Sequence, residues 1–199
     1  MKKGILIFSL GLVLCLSAGS AQKSASALAP APDYGQVPLY FVANQGQTDA
    51  EALFYAKTPS YTLWLTRGGL LFDGARLTFR GARPDAVPSA IEPTDHVVSY
   101  FYGRDESDWK TGIPTSRAAL YRDLYEGIDL KIYGTGNVVE YDWVIKPGAD
   151  PARIAFGYDG MSSVRLSSEG DLVVETAKGT LTHRRPASYQ VLDGVNVEV

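Results

Sequence analysis

Four charged residues, Asp129, Lys131, Glu140 and Asp142, fall within one short stretch, "GIDLKIYGTGNVVEYDWVIKPGADP", residues 127–151. Carboxylates set this close could support two kinds of chemistry. Oxygen ligands converging on one point hold a hard cation such as Ca²⁺. Two carboxyls that share a proton acquire one raised pKa and act as an acid–base pair. In a glycoside hydrolase the two carboxyls sit roughly 5 to 9.5 Å apart across a sugar-sized cleft. Asp129 and Asp142 are the candidate cation ligands. Glu140, with Asp142 or Asp129, is the candidate hydrolase pair.

Both readings depend on the elements that hold these side chains. Ile128, Leu130 and Ile132 alternate with Asp129, Lys131 and Tyr133. Val139, Tyr141, Trp143 and Ile145 alternate with Val138, Glu140, Asp142 and Val144. A period of two is the signature of a strand with one buried face, so the stretch predicts an amphipathic β-hairpin. If "GTGN" forms a four-residue loop, the apolar pairs are Ile132–Val139, Leu130–Tyr141 and Ile128–Trp143. On the other face Tyr133 meets Val138, Lys131 meets Glu140, and Asp129 meets Asp142. Lys131–Glu140 is then an exposed cross-strand pair worth less than ~1 kcal/mol. Asp129 opposite Asp142 is a like-charge pair that needs a cation, an Arg or water between its members. The reading with most weight is a solvated hairpin face. No catalytic or cofactor residue is assigned, and Asp129 and Asp142 remain the only metal candidates.

Other chemistry has less support. Ser107 and Lys110 match a Ser-x-x-Lys motif, and Lys-Thr-Gly follows at once. In penicillin-recognising enzymes those elements are distant in sequence and meet only on folding. The two histidines, His96 and His183, lack the companion ligands of a zinc site and read as strand residues with satisfied rings. No glycine-rich phosphate loop, nucleophile elbow or Asp-x-Asp-x-Asp-Gly calcium loop occurs. No cofactor is implied. Trp64, in "YTLWLT", and Trp109, in the polar run "GRDESDWKTG", are candidate sugar-stacking platforms; otherwise they cover the edges of the core.

The chain has 199 residues, 45% hydrophobic and 21% charged, enough for one domain with a core. A net charge of −3 with scattered Lys and Arg argues against nucleic acid as a partner. Residues 1–21 read as a signal peptide: Lys2 and Lys3, the apolar run Ile5 to Leu16, then small residues up to a cleavage point after Ala21. The apolar run is shorter than the ~20 residues of a membrane-spanning helix. Cleavage would remove the single cysteine, Cys15, and take the net charge from −3 to −5. The mature protein is expected in the periplasm, outside the cell or on its surface, with no membrane span. Residues 22–36, rich in Ala, Ser and Pro, read as a flexible leader. Residues 37–199 hold many short apolar or alternating runs, with turn signals at Asp73-Gly74, Asp159-Gly160 and Asp193-Gly194. That pattern predicts an all-β, antiparallel, sandwich-like domain. The closing "GVNVEV" is strand-like, so a longer protein is expected.

Several long segments resemble a known family. "FVANQGQTDAEALFYAKTPSYTLWLTRGGLLF", "VSYFYGRDESDWKTGIPTSRAALYRDLYEGIDLKIYG", "VVEYDWVIKPGADPARIAFGYDG" and "GDLVVETAKGTLTHRRPASYQVLDG" are similar, in order, to the N-terminal domain of bacterial SBBP proteins. Those proteins carry seven-bladed β-propeller-type repeats. The resemblance covers Leu39 to the end and implies a secreted or cell-surface module placed ahead of such repeats, which this sequence lacks. It brings no activity with it. The expectation is a non-enzymatic structural or interaction module. Its partners would be the downstream repeats, surface glycans or proteins. A carbohydrate-binding module using Trp64 or Trp109 and a carboxylate glycoside hydrolase are the rival readings.

Overall fold

Nearly every described segment of the chain is a β-strand. The computed structural model describes residues 5–15, 39–72, 74–192 and 195–198. In chain order the strands begin with β1 (Ile5–Cys15), β2 (Phe41–Ala43), β3 (Phe54–Lys57), β4 (Thr62–Leu65), β5 (Gly69–Phe72) and β6 (Ala75–Phe79). The long strands follow: β7 (Pro88–Tyr100), β8 (Lys110–Tyr125), β9 (Ile128–Thr135) and β10 (Val138–Ile145). The last six are β11 (Phe156–Asp159), β12 (Met161–Leu166), β13 (Leu172–Thr176), β14 (Gly179–His183), β15 (Ala187–Leu192) and β16 (Val195–Glu198). The only helical segments among the described residues are two 3-10 turns, Glu106–Asp108 and Pro151–Arg153. No helix among them is long and apolar enough to cross a membrane.

The strands pair antiparallel in the order β11-β6-β5-β4-β3-β2-β8-β9-β10-β1-β14-β13-β12. Strand β7 lies along β8, and β15 pairs with β1 and β16. The sheet curls into a half-barrel, so the all-β, sandwich-like expectation holds. The physical reason is the period of two. In β4, Leu63 and Leu65 are buried while Thr62 and Trp64 are half-buried; in β6, Ala75, Leu77 and Phe79 are buried. Curling brings these faces against those of β8, β9 and β10. Tyr121, Leu130 and Ile132 are buried in the same core as Leu63 and Leu77. The rings of Phe79 and Tyr121 pack in a T-shaped contact, centroids 5.4 Å apart. Between β5 and β6 the backbones approach so closely that a Cβ on Gly69 would lie 1.9 Å from the Leu77 carbonyl oxygen. Only glycine avoids that overlap.

Of the three predicted turns, Asp159-Gly160 joins β11 to β12, with Gly160 at φ +79°. Asp73, Asp193 and Gly194 lie outside the described residues, as do residues 16–38, which hold the expected cleavage point and the leader. The apolar segment Ile5–Cys15 lies within the sheet as β1.

The β9–β10 hairpin forms with the predicted buried side, but its register differs. Thr135 pairs with Val138, Tyr133 with Glu140, Lys131 with Asp142 and Asp129 with Val144. The loop is the two residues Gly136 and Asn137, not four. Gly136 takes φ +58°, a conformation that favours glycine and suits tight hairpin turns. The difference is a shift of two residues, so every side chain keeps its face. Ile128, Leu130, Ile132, Val139, Tyr141, Trp143 and Ile145 are all buried.

Candidate functional site

The changed register takes apart the expected carboxylate pair. Asp129 does not face Asp142, and Lys131 does not face Glu140. Lys131 lies opposite Asp142 but reaches across to Glu92 on β7, Nζ to Oε1 at 2.7 Å. Its ammonium lies 5.3 Å from the centroid of the Tyr133 ring. The Tyr133 hydroxyl donates to Asp142 Oδ1 at 3.1 Å. Among the described residues, no group of three or more His, Cys, Asp or Glu is arranged to hold a metal ion.

Asp129 has a different task. Strand β8 bulges between Tyr121 and Tyr125, and Asp123 in that bulge has φ +46°. Its backbone N–H, turned out of the ladder, donates to Asp129 Oδ1 at 2.7 Å. Lys146 Nζ donates to the same oxygen at 3.0 Å and to Asp123 Oδ1 at 2.7 Å. The Lys146 hydrogen bond holds the Asp123 carboxyl below its ordinary range, and Asp123 in turn raises the lysine. The cation beside Asp129 is thus a lysine ammonium, shared with Asp123 and not with Asp142. Asp123, Lys146 and Glu92 were invisible as partners, because bulges and long-range strand neighbours leave no local pattern.

A strongly perturbed polar cluster is buried around His183. His183 on β14 is 1% exposed. Its Nδ1 is hydrogen bonded to the Tyr141 hydroxyl at 2.7 Å, and its Nε2 to the Tyr158 hydroxyl. Burial pushes the imidazole down to about 3 and pushes both phenols up. The ring is therefore neutral in the folded protein, with one phenol donating to its bare nitrogen and the other accepting from its N–H. The satisfied histidine expected from the sequence is found here. Beside it lies an apolar cavity of about 350 Å³, lined among others by Trp143, Ile154, Phe156, Leu172 and His183. Glu140, Asp142 and Asp129 do not line it.

The two candidate platforms lie in different settings. Trp64 is half-buried and packs on a small second cluster with Val42, Tyr55, Ile113, Val98 and Tyr100. The hydroxyls of Tyr55 and Tyr100 meet within that cluster. Trp109 makes a T-shaped contact with Phe101, ring centres 5.1 Å apart, with its Nε1 buried and unpartnered. Around it, at the end of β7 and the start of the loop after it, large apolar side chains are open to solvent. Val97 is 62% exposed, Phe101 65% and Tyr102 43%. Tyr102 stacks on Tyr100 at 5.9 Å and donates its hydroxyl to the Gln47 carbonyl at 3.1 Å, which fixes the loop. The two predicted tryptophans thus flank this aromatic end without being its most exposed members. The run "SYFYG" was the available signal for Phe101 and Tyr102.

No curated protein and no solved structure matches this chain. A family model described as a domain of unknown function, DUF7948, matches residues 71–199. That span runs from within β5 to the end of the chain and takes in the hairpin, the buried histidine and the aromatic end of β7. The chain belongs to this family, the domain of unknown function DUF7948.

Proposed function

We propose that this is an exported, non-enzymatic interaction module of a larger surface or secreted protein, and that its docking surface is the aromatic end of β7. One observation carries the reading: Val97 on β7, and Phe101 and Tyr102 in the loop that follows it, are 62%, 65% and 43% exposed, and that loop is anchored by Tyr102 and Trp109. Large aromatics held open to water, on a backbone fixed from behind, are the anchors that protein interfaces use. The partner is a protein surface, with the β-propeller-type repeats implied by the resemblance as the first candidate. Sugar stacking is less favoured, because Trp64 and Trp109 are both half-buried and Trp109 is engaged in a T-shaped contact with Phe101. The hydrolase reading is less favoured, because Asp129 and Asp142 are engaged by Lys146 and Tyr133 and none of Asp129, Glu140 and Asp142 lines the apolar cavity.

The test places a photoreactive amino acid at position 101 in protein expressed in its native host. A discrete cross-linked protein, absent when Val97→Asp is added, supports the reading. Cross-linking that is absent, or unchanged by Val97→Asp, removes it.

A further inference from the structure

The middle of the sheet holds a place that, among the described residues, the N-terminal segment fills. Strand β10 pairs with β9 on one side and with β1 on the other. Across β1 lie β14 and β15, set end to end along it: Leu12 to Cys15 pair with His183 to Thr180, and Ile5 to Ser9 with Val191 to Ala187. All three neighbours run antiparallel to β1, so β10 and the β14–β15 line run parallel to each other with one strand's width between them. Neighbouring strands lie ~4.8 Å apart, so these two lines cannot bond to each other while the slot stays open.

The sequence of β1 matches the slot. Leu6, Phe8, Leu10 and Leu12 take register positions beside Ile145, Trp143, Tyr141 and Val139, four buried residues of β10. Large apolar residues thus take every second register position, beside the buried residues of β10, while Ile7, Ser9 and Gly11 take those beside Val144, Asp142 and Glu140 on its other face. The apolar cavity is lined from both walls of the slot, by Trp143 of β10 and His183 of β14. Yet the same residues read as the apolar core of an export signal. Cleavage after Ala21 would take β1 out and leave both walls without backbone partners on the sides that face the slot, which is costly for a buried edge.

We propose that the gap between β10 and β14–β15 is a strand-acceptor slot. Ile5–Cys15 fills it in the chain as translated. In a processed chain it receives, from another polypeptide segment, an extended apolar strand with the same alternation, running antiparallel to β10. Backbone hydrogen bonds on both sides supply affinity, and alternate side chains entering the core supply selectivity. This does not depend on the docking surface at the end of β7, which lies on other strands.

The experiment uses the full chain with a protease site inserted within residues 22–36. After cutting, the nicked protein is passed over a sizing column. It is then offered a labelled peptide of the Ile5–Cys15 sequence flanked by lysines, and a control of the same composition with permuted order. The expected result is that the N-terminal fragment co-elutes with the domain. The labelled peptide then replaces it saturably, the permuted peptide binding at least tenfold more weakly. Amide exchange should slow in β10 and β14 on peptide binding, with β4 and β5 unchanged. Equal binding of the two peptides would overturn the proposal. So would equal protection of β10 amides with and without a strand in the slot, since the sheet would then have closed by itself.

Discussion

Asp129 Oδ1 accepts a hydrogen bond from the backbone N–H of Asp123 at 2.7 Å. This bond gives a partner to an amide that the β8 bulge has turned out of the ladder, at a residue with φ +46°. The side chain that seemed best placed for chemistry is thereby a backbone support, held in turn by Lys146 at 3.0 Å.

Removing that acceptor leaves the Asp123 amide unmatched. Asp129→Ala is expected to cost about 1–3 kcal/mol, whereas Asp129→Asn, which keeps an acceptor oxygen, costs less than ~1 kcal/mol. Urea denaturation of both variants checks the order. Equal losses would mean that the charge, and not the acceptor, matters.

The buried histidine sets a pH dependence. Burial lowers His183 from an ordinary 6.5 to about 3, so between those values the unfolded chain binds a proton that the folded one refuses. Stability is therefore full above pH 6.5 and falls as pH drops through this window, by roughly 1.4 kcal/mol per unit below about 6. His183→Gln offers the two phenols a donor and an acceptor without titrating. It is expected to start less stable at pH 7 and to show a flatter profile from pH 6.5 to 5, above the carboxylate range. Denaturant midpoints across that range test it, and parallel profiles would place the titrating group elsewhere.

Gly69 and Gly68 are adjacent but not equivalent. A Cβ at Gly69 meets the Leu77 carbonyl oxygen at 1.9 Å, while one at Gly68 meets nothing within 4 Å. Gly69→Ala must push β5 from β6 and is expected to cost at least 3 kcal/mol, above the ordinary range for overpacking because the obstacle is backbone. Gly68→Ala is expected within about 0.5 kcal/mol of the parent. Thermal melts of the pair separate a backbone clash from a general dislike of alanine in this turn.

What the sequence revealed follows from what alternation records. It placed Ile128, Leu130, Ile132, Val139, Tyr141, Trp143 and Ile145 on one face, because burial selects side chains at every second position. It could not decide between a two-residue and a four-residue loop, since a shift of two leaves every face unchanged. That small difference moved Lys131 from Glu140 to Asp142 and parted Asp129 from Asp142. The Asp123 bulge, the reach of Lys131 to Glu92 and the bridging of His183 by Tyr141 and Tyr158 join distant strands. No local spacing encodes them. The aromatic end of β7 was half legible: Trp109 stood out as an aromatic in a polar run, but the exposure of Phe101 depends on how the loop packs.

The central claim is that this domain works through the apolar end of β7 and not through the carboxylates of the hairpin. The direct measurement is recovery of the partner cross-linked at position 101, compared among three proteins labelled there in the native host: the parent, Val97→Asp/Tyr102→Ser, and Glu140→Gln/Asp142→Asn. The expected result is a loss of about tenfold or more for the first double variant, equivalent to ~1.4 kcal/mol of binding. The second should stay within about twofold of the parent, because its residues lie on β10, away from the aromatic end of β7, and Asp142 is already held by the Tyr133 hydroxyl. Full recovery with Val97→Asp/Tyr102→Ser, or loss confined to Glu140→Gln/Asp142→Asn, would contradict the account.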